Sequence, residues 1–127
     1  MIKIQLSGEF EFRNKDLKKR NYEKSITTDC WMKIVINDKL FFDDWVCPLE
    51  LYFQYLDWKK DFDYELIHDF EYISDDNDEN PILSFCAIGN KWVAYSELTK
   101  KSSDFVTIND ILEFFKSFEV QLLRHKN

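Results

Sequence analysis

His68 and Cys86 carry the side chains of a base and a nucleophile. A histidine that takes the proton of a cysteine thiol creates a strong nucleophile, provided that the two groups lie within hydrogen-bond reach. Pairing the segments around residues 70 and 85 as a hairpin sets His68 opposite Ala87. Because side chains alternate along a strand, His68 and Cys86 then point to opposite faces. We interpret them as a half-buried histidine beside a core thiol.

An acidic loop could form a calcium site. Asp76, Asp78 and Asn80 fall at the first, third and fifth positions of an EF-hand-like loop. However, Pro81 occupies the sixth position, where the sharp turn requires glycine, and Ala87 occupies the twelfth, which requires a bidentate glutamate. The loop is therefore predicted to be a solvated acidic turn or a protein contact, and any cation there would be adventitious.

Other motifs for catalysis or cofactor binding cannot be drawn from the sequence. The chain contains only two glycines, too few for a phosphate-binding loop or a dinucleotide fingerprint. Neither His68 nor His125 has a second histidine at metal-ligand spacing. Carboxylate pairs, at 43–44 and at 61 and 63, are expected by chance among 24 acidic residues. We predict a protein that is not an enzyme, with no catalytic residue, no metal and no cofactor.

The N-terminal segment is predicted to begin the sheet that positions these residues. Residues 1–6 alternate apolar and polar side chains, and Phe10 and Phe12 continue the alternation, as a strand or two short strands would. Residues 13–25 are basic and polar without an apolar face, which predicts a solvated loop or a short exposed helix.

A first hairpin is predicted from two strand-like runs, at 31–36 and 40–42. Asn37 and Asp38 lie between them and tolerate the positive φ angles of a tight turn. The predicted cross-strand pairs are Ile34 with Phe41 and Val35 with Leu40.

A meander is predicted for the middle of the chain. Residues 62–73 form a strand, 74–81 a polar loop, 82–88 a second strand, and 91–95 a third strand that follows a tight turn at 89–90. The predicted cross-strand pairs are Phe70 with Phe85, Tyr72 with Leu83, and Trp92 with Ala87.

Two helices complete the prediction. One spans about 48–60, because Pro48 suits a first turn and apolar residues follow at helical spacing. The other spans about 108–124 and opens on a capping box from Thr107 to Asp110. Strands grouped in hairpins with two helices indicate a single α+β domain over residues 1–127, mainly an antiparallel sheet of about five to six strands packed against the two helices. The C-terminal helix is predicted to bury Ile108, Ile111, Leu112, Phe115, Phe118 and Leu122.

The acidic charge of the chain is local. Residues 1–60 contribute +1, residues 61–80 contribute −9 and residues 81–127 contribute +1 to the net charge of −7. The middle stretch contains no Lys or Arg. It would repel nucleic acid and anionic lipid and attract a basic protein surface. Its predicted partner-binding residues are Asp61, Asp63, Asp69, Glu71, Asp75, Asp76, Asp78 and Glu79.

Aromatic residues could add contact area to such a surface. Of the four tryptophans, Trp58 is predicted to be the one available to a partner, because it lies beside Lys59 and Lys60 and next to the acidic stretch. The other three are predicted to lie in the core. The odd number of cysteines, Cys30, Cys47 and Cys86, indicates free buried thiols and neither a disulfide framework nor a zinc knuckle.

A family resemblance rests on three strings, MKIVINDKLFFDDW, LDWKKDF and FEYISDDNDENPILSF followed by GNKW. Over residues 30–95 the chain resembles the small immunity proteins of bacterial polymorphic and contact-dependent toxin systems. The resemblance implies a cytoplasmic protein that binds and blocks a cognate toxin domain, often a nuclease with a basic cleft.

Two alternatives to the immunity role remain open. One is a small-ligand-binding or regulatory α+β domain with an aromatic pocket, and the other is a weak enzyme whose carboxylates or His68 converge in a cleft. The sequence contains no apolar stretch long enough to cross a membrane and no leader at its N-terminus, which predicts a cytoplasmic location without a membrane partner.

Overall fold

The computed structural model of the protein describes residues 1–75 and 77–127 and has the expected α+β architecture. The described strands form two antiparallel sheets, one of three strands and one of four, instead of the single sheet of five to six strands that was predicted. The elements are β1 (Ile2–Ser7), α1 (Asn14–Lys18), α2 (Tyr22–Thr27), β2 (Cys30–Ile36), β3 (Lys39–Val46), α3 (Pro48–Asp63), β4 (Phe70–Tyr72), β5 (Leu83–Ile88), β6 (Lys91–Ser96), β7 (Lys101–Val106) and α4 (Ile108–Leu123).

The first sheet has the strand order β1-β2-β3. Asn37 and Asp38 have φ angles of 50° and 66°, so the predicted tight turn between β2 and β3 is confirmed. Val35 lies opposite Leu40 as predicted, but a register shift between Ile34 and Val35 places Ile34 opposite Phe42 and not Phe41. The extra residue in β3 lets Phe41 and Phe42 both be buried.

The second sheet has the strand order β4-β5-β6-β7. Its register contains all three predicted pairs, Phe70 with Phe85, Tyr72 with Leu83, and Trp92 with Ala87. The edge strand β7 was missed, because the sequence Lys-Ser-Ser-Asp that opens it has none of the alternation of a half-buried strand.

The predicted strand at 62–73 is wrong over most of its length. Residues 62 and 63 form the last turn of α3, which extends three residues beyond the expected end at 60, and β4 contains only residues 70–72. The apolar residues at every second position from 62 to 66 fitted a strand. The backbone hydrogen bonds of α3 instead continue through Asp63, and the helix ends in a turn at residues 64–66.

Helix α4 lies between the two sheets and supplies the centre of the core. The ring of Phe115 stacks on Tyr55 of α3 at a centroid distance of 4.2 Å and meets Phe70 of β4 edge-on at 5.0 Å. The predicted capping box is present, with Asp110 N–H bonded to Thr107 Oγ1 and Thr107 N–H bonded to Asp110 Oδ2. Phe114, which the predicted stripe left out, is also fully buried, whereas Ile108 and Leu112 are half-buried.

Side-chain amides of the two long helices cover two sheet edges. Gln121 of α4 bonds the carbonyl of Ile4 and the N–H of Leu6, both on β1. Gln54 of α3 bonds the N–H and the carbonyl of Ile73, next to β4. Each amide satisfies one donor and one acceptor that an edge strand would leave open to another chain.

The segment before β2 adopts the short-helix alternative. Helices α1 and α2 are five and six residues long. The side chain of Asn21 caps α2 by accepting the Lys24 N–H at 3.1 Å. Arg20 extends from this segment to α3, where its guanidinium bonds Asp57 at 2.7 Å.

Candidate functional site

The segment that links α3 to β4, residues 64–69, begins with a turn that ends the helix. The Leu66 N–H bonds the carbonyl of Asp61 at 2.9 Å and the Glu65 N–H bonds the carbonyl of Phe62 at 2.9 Å. This pair of bonds is a Schellman motif, and its left-handed position is held by Glu65, with φ of 63°. Glycine is the usual residue there, since a side chain makes the left-handed conformation unfavourable. The turn directs the chain away from the helix axis into solvent.

Every residue from 63 to 69 is exposed. Three of them are large and apolar: Tyr64 is 74% exposed, Leu66 63% and Ile67 62%. Single exposed apolar side chains are ordinary on protein surfaces, but a contiguous group indicates a contact site. We call residues 64–69 the α3–β4 connection.

Trp58 is not available to a partner, contrary to the sequence prediction. It is only 3% exposed, and its ring stacks on Phe62 at 5.3 Å and meets Trp92 edge-on at 6.4 Å. The error has a physical cause, because Trp58 lies on the face of α3 that packs against the second sheet and α4. Of the three tryptophans predicted to lie in the core, only Trp92 is buried, because Trp31 is half-buried and Trp45 on β3 is 56% exposed.

His68 joins the α3–β4 connection to the end of α3. Its Nδ1 lies 2.9 Å from the carbonyl oxygen of Asp69 and its Nε2 lies 3.0 Å from Asp61 Oδ2. Both contacts are to oxygen acceptors, so both are satisfied only when the ring is protonated on both nitrogens. The backbone contact with Asp69, followed by the hydrogen bond to Asp61, raises the pKa of His68 above its usual value of 6.5.

A shallow cleft of about 300 Å³ lies between α3 and the approach to β4. It brings together three of the predicted binding residues, Asp61, Asp69 and Glu71, with Asp57 from α3. His68 and Gln54 contribute the remaining polar side chains of the wall. The cleft is therefore acidic, with one titratable cation at its rim.

Nearby cations neutralise part of this charge. Lys59 pairs with Asp63 within α3, Arg20 pairs with Asp57, and His68 contacts Asp61. Glu65 and Glu71 have no Lys or Arg partner within 4.0 Å in residues 1–75 and 77–127. Asp69 uses Oδ1 to accept the N–H of Ala87 at 2.8 Å, which fixes it against β5.

The remaining predicted acidic residues form a second group, in the loop between β4 and β5. Asp75 accepts the hydroxyl of Tyr22 at 2.8 Å, and Asp78 and Glu79 are exposed. The side chain of Asn80 holds this loop through bonds to the backbone of Ser74 and Asn77. Asp76 lies outside the described residues. In the chain, β4 thus separates the described acidic residues of this stretch into two groups.

His68 is not oriented as the base of a Cys-His pair, because its ring nitrogens contact other groups. His68 was expected opposite Ala87 and half-buried. It is exposed instead, because β4 begins at Phe70, and its two ring nitrogens face Asp61 and Asp69. Cys86 is partly exposed, and burial raises the pKa of its thiol, which opposes the thiolate that a nucleophile requires. Cys30 and Cys47 are buried thiols, as predicted.

In the part of the chain that the structure describes, no three His, Cys, Asp or Glu side chains are grouped so that they could hold a metal ion. The helices in the same residues are too short or too polar to cross a membrane.

Sequence reasoning missed the apolar half of this site. Tyr64 and Leu66 fall on the even-numbered apolar positions that continue to Phe70, and this alternation predicted a strand and not an exposed connection. The long helix could have been recognised from Lys59 and Asp63, which have helical i, i+4 spacing and do form an ion pair.

The sequence pattern of one protein family, described as Domain of unknown function (DUF7878), matches residues 3–125. No curated protein and no solved structure matches the chain.

Proposed function

We propose that this chain, which belongs to the family Domain of unknown function (DUF7878), is a non-enzymatic protein-binding domain whose partner presents a basic surface. One observation carries the proposal. The stretch 61–80 holds nine acidic residues and no Lys or Arg, and the carboxylates of its first group, between residues 61 and 71, lie at the protein surface close in the chain to exposed apolar side chains.

Charge of this kind acts mainly on association. A concentrated negative field attracts a positively charged partner over a distance of about one Debye length, about 8 Å at physiological ionic strength. The same field repels nucleic acid and anionic lipid. A protein with a basic face is therefore the class of partner that fits the surface best.

The finer proposal is that the partner is the toxin domain of a bacterial polymorphic or contact-dependent system, and that this chain is the immunity protein that neutralises it. The resemblance over residues 30–95 supports this reading, and so does electrostatic complementarity to the basic cleft of a nuclease toxin. A domain that only has to occupy such a cleft needs no catalytic residue of its own.

The alternative of an aromatic ligand pocket is less well supported. Rings that could have lined a pocket contact one another instead: Phe85 meets Phe114 at 5.5 Å and Phe115 at 5.8 Å, and Trp58 meets Phe115 at 5.9 Å. These side chains fill the space between α4 and the second sheet.

The first experiment identifies the partner from the neighbouring reading frame. If a large secreted protein with a variable C-terminal domain is encoded immediately upstream, that domain is expressed with and without this chain. We expect growth arrest without the chain, rescue with it, and a complex that is stable on gel filtration. Toxicity that the chain does not relieve, or the absence of a complex, would contradict the immunity role.

Charge reversal then tests the surface itself. The variant Glu65→Lys/Glu71→Lys is expected to slow association with the toxin domain about tenfold or more at low salt, with a smaller effect at high salt. Glu9→Lys/Glu113→Lys is the matched control, since both residues are exposed and the variant makes the same change in net charge elsewhere. Equal effects of the two variants would show that total charge matters and that this surface does not.

A further inference from the structure

We infer that Leu66 and Ile67 are the apolar anchor of the interface, and that they insert into an apolar pocket whose rim carries Lys or Arg side chains on the partner protein. This inference rests on the proposed function and specifies how the same surface binds. Leu66 and Ile67 take the place of Trp58, which is buried, as the source of apolar contact area.

The exposure of Leu66 is unusual for its place in the turn. In a Schellman motif the residue at this position often packs on an apolar residue one turn earlier in the helix. Here the residue at that earlier position is Asp61, whose carbonyl accepts the Leu66 N–H, so Leu66 has a carboxylate where an apolar neighbour would lie. Ile67 follows it and is equally exposed. Two branched aliphatic side chains are thus left in solvent at the end of a helix, where packing against α3 could have covered one of them.

Hydrogen bonds hold the backbone around Leu66 and Ile67 in position before any partner binds. The two Schellman bonds fix residues 65 and 66, and the indole of buried Trp58 donates to the carbonyl of His68 at 2.7 Å. The connection is therefore tied to α3 on both sides of Ile67. A contact segment that is already ordered loses little conformational entropy on binding, which favours affinity.

The charges around the anchor define its occupant. Four acidic residues lie within five positions of Leu66 in the chain: Asp61, Asp63, Glu65 and Asp69. The stretch 61–80 contains no Lys or Arg. A second copy of this chain would bring the same acidic rim and be repelled. An apolar pocket with a basic rim matches both the aliphatic centre and the acidic border.

Two synthetic peptides test the inference without a toxin. The first alternates leucine with lysine, and the second alternates serine with lysine at the same length and charge. Binding to the ¹⁵N-labelled chain is followed by NMR, at low and at physiological salt. We expect the leucine–lysine peptide to shift the amides of residues 64–69 and to bind about tenfold or more tightly than the serine–lysine peptide, because only the former buries the anchor.

Matched variants locate the effect. Leu66→Ser/Ile67→Ser is expected to remove the preference for the leucine–lysine peptide while leaving the salt dependence of binding unchanged, since all carboxylates remain. Ile88→Ser removes another exposed isoleucine, at the end of β5, and is expected to have no effect. The amide spectrum of each variant verifies that the fold is intact.

The outcomes separate the inference from the function on which it rests. Equal affinity for the two peptides, with shifts at the acidic residues, would overturn the anchor and leave the acidic binding surface standing. A preference that survives Leu66→Ser/Ile67→Ser, or that Ile88→Ser abolishes, would also overturn the anchor. Failure of both peptides to bind at low salt would contradict the acidic surface as well.

Discussion

The indole Nε1 of Trp58 donates a 2.7 Å hydrogen bond to the carbonyl oxygen of His68. The bond joins a core side chain of α3 to the exposed connection that follows the helix. It also satisfies a buried donor, since an indole N–H without a partner would be costly to bury. Trp58 thus contributes to the candidate interface by holding the α3–β4 connection in position from within the core.

Trp58→Phe removes this bond and leaves a small cavity while preserving an aromatic ring. We expect a loss of about 1–3 kcal/mol in the free energy of unfolding, measured by urea denaturation. Hydrogen exchange at the Leu66 amide, which bonds the Asp61 carbonyl, should become faster. Trp45→Phe, at a tryptophan that is 56% exposed, is the control and should change stability by less than about 0.5 kcal/mol. Unchanged exchange in Trp58→Phe would contradict the positioning role.

Tyr72→Phe is expected to destabilise the packing of β4 against the first turn of α3. The buried Tyr72 hydroxyl donates to Glu50 Oε1 at 3.0 Å and accepts the N–H of Cys47 at 3.2 Å. Its loss leaves a buried carboxylate and a backbone N–H without that partner, at a cost of about 1–3 kcal/mol in chemical denaturation. The control is Tyr64→Phe, because Tyr64 is exposed and should tolerate the change. Equal stabilities would mean that water replaces the hydroxyl.

The pH dependence of His68 follows from its two contacts. Its pKa is raised above 6.5 in the folded chain, chiefly by the Asp69 carbonyl and then by Asp61. The stability that it contributes is therefore fully present below about pH 6.5 and is lost as the pH rises through the higher folded pKa.

An NMR titration of the imidazole ring measures this pKa directly. Asp61→Asn is expected to lower it toward 6.5, whereas Asp63→Asn, which removes the same charge two residues away, should lower it less. A folded pKa at or below 6.5 in the wild-type chain would refute the ring geometry.

Thiol reactivity should follow burial. Burial raises the pKa of Cys30 to about 12, and Cys47 is also buried, whereas Cys86 is partly exposed. Iodoacetamide at pH 8 is expected to alkylate Cys86 first in the native chain, and Cys30 and Cys47 only after unfolding in urea. Mass spectrometry of tryptic peptides identifies the order. Native-state labelling of Cys30 at the rate of Cys86 would contradict the buried position.

Local patterns in the sequence predicted local structure well. The turn at Asn37 and Asp38, the capping box of α4 and three cross-strand pairs of the second sheet all depend on residues close in the chain. Turn chemistry and side-chain alternation act over a few residues, so a single sequence contains the needed information. The distribution of charge is likewise a property of the sequence alone.

Tertiary packing decided the features that distinguish the candidate site. Period-two apolar spacing at residues 62–73 fits a strand, but the helix continues to Asp63 because its other face buries Trp58 against the second sheet and α4. The local pattern cannot distinguish a strand from a helix at the end of α3, because the difference lies in the contacts of Trp58 with Trp92 and Phe115. The division of the strands into two sheets is also a tertiary feature, because α4 packs between the sheets.

The sequence by itself therefore determined an acidic α+β chain and the stretch where its charge is concentrated. Only the tertiary structure decided that Trp58 is buried and that Leu66 and Ile67 are exposed, because burial depends on which surfaces meet and not on residue type.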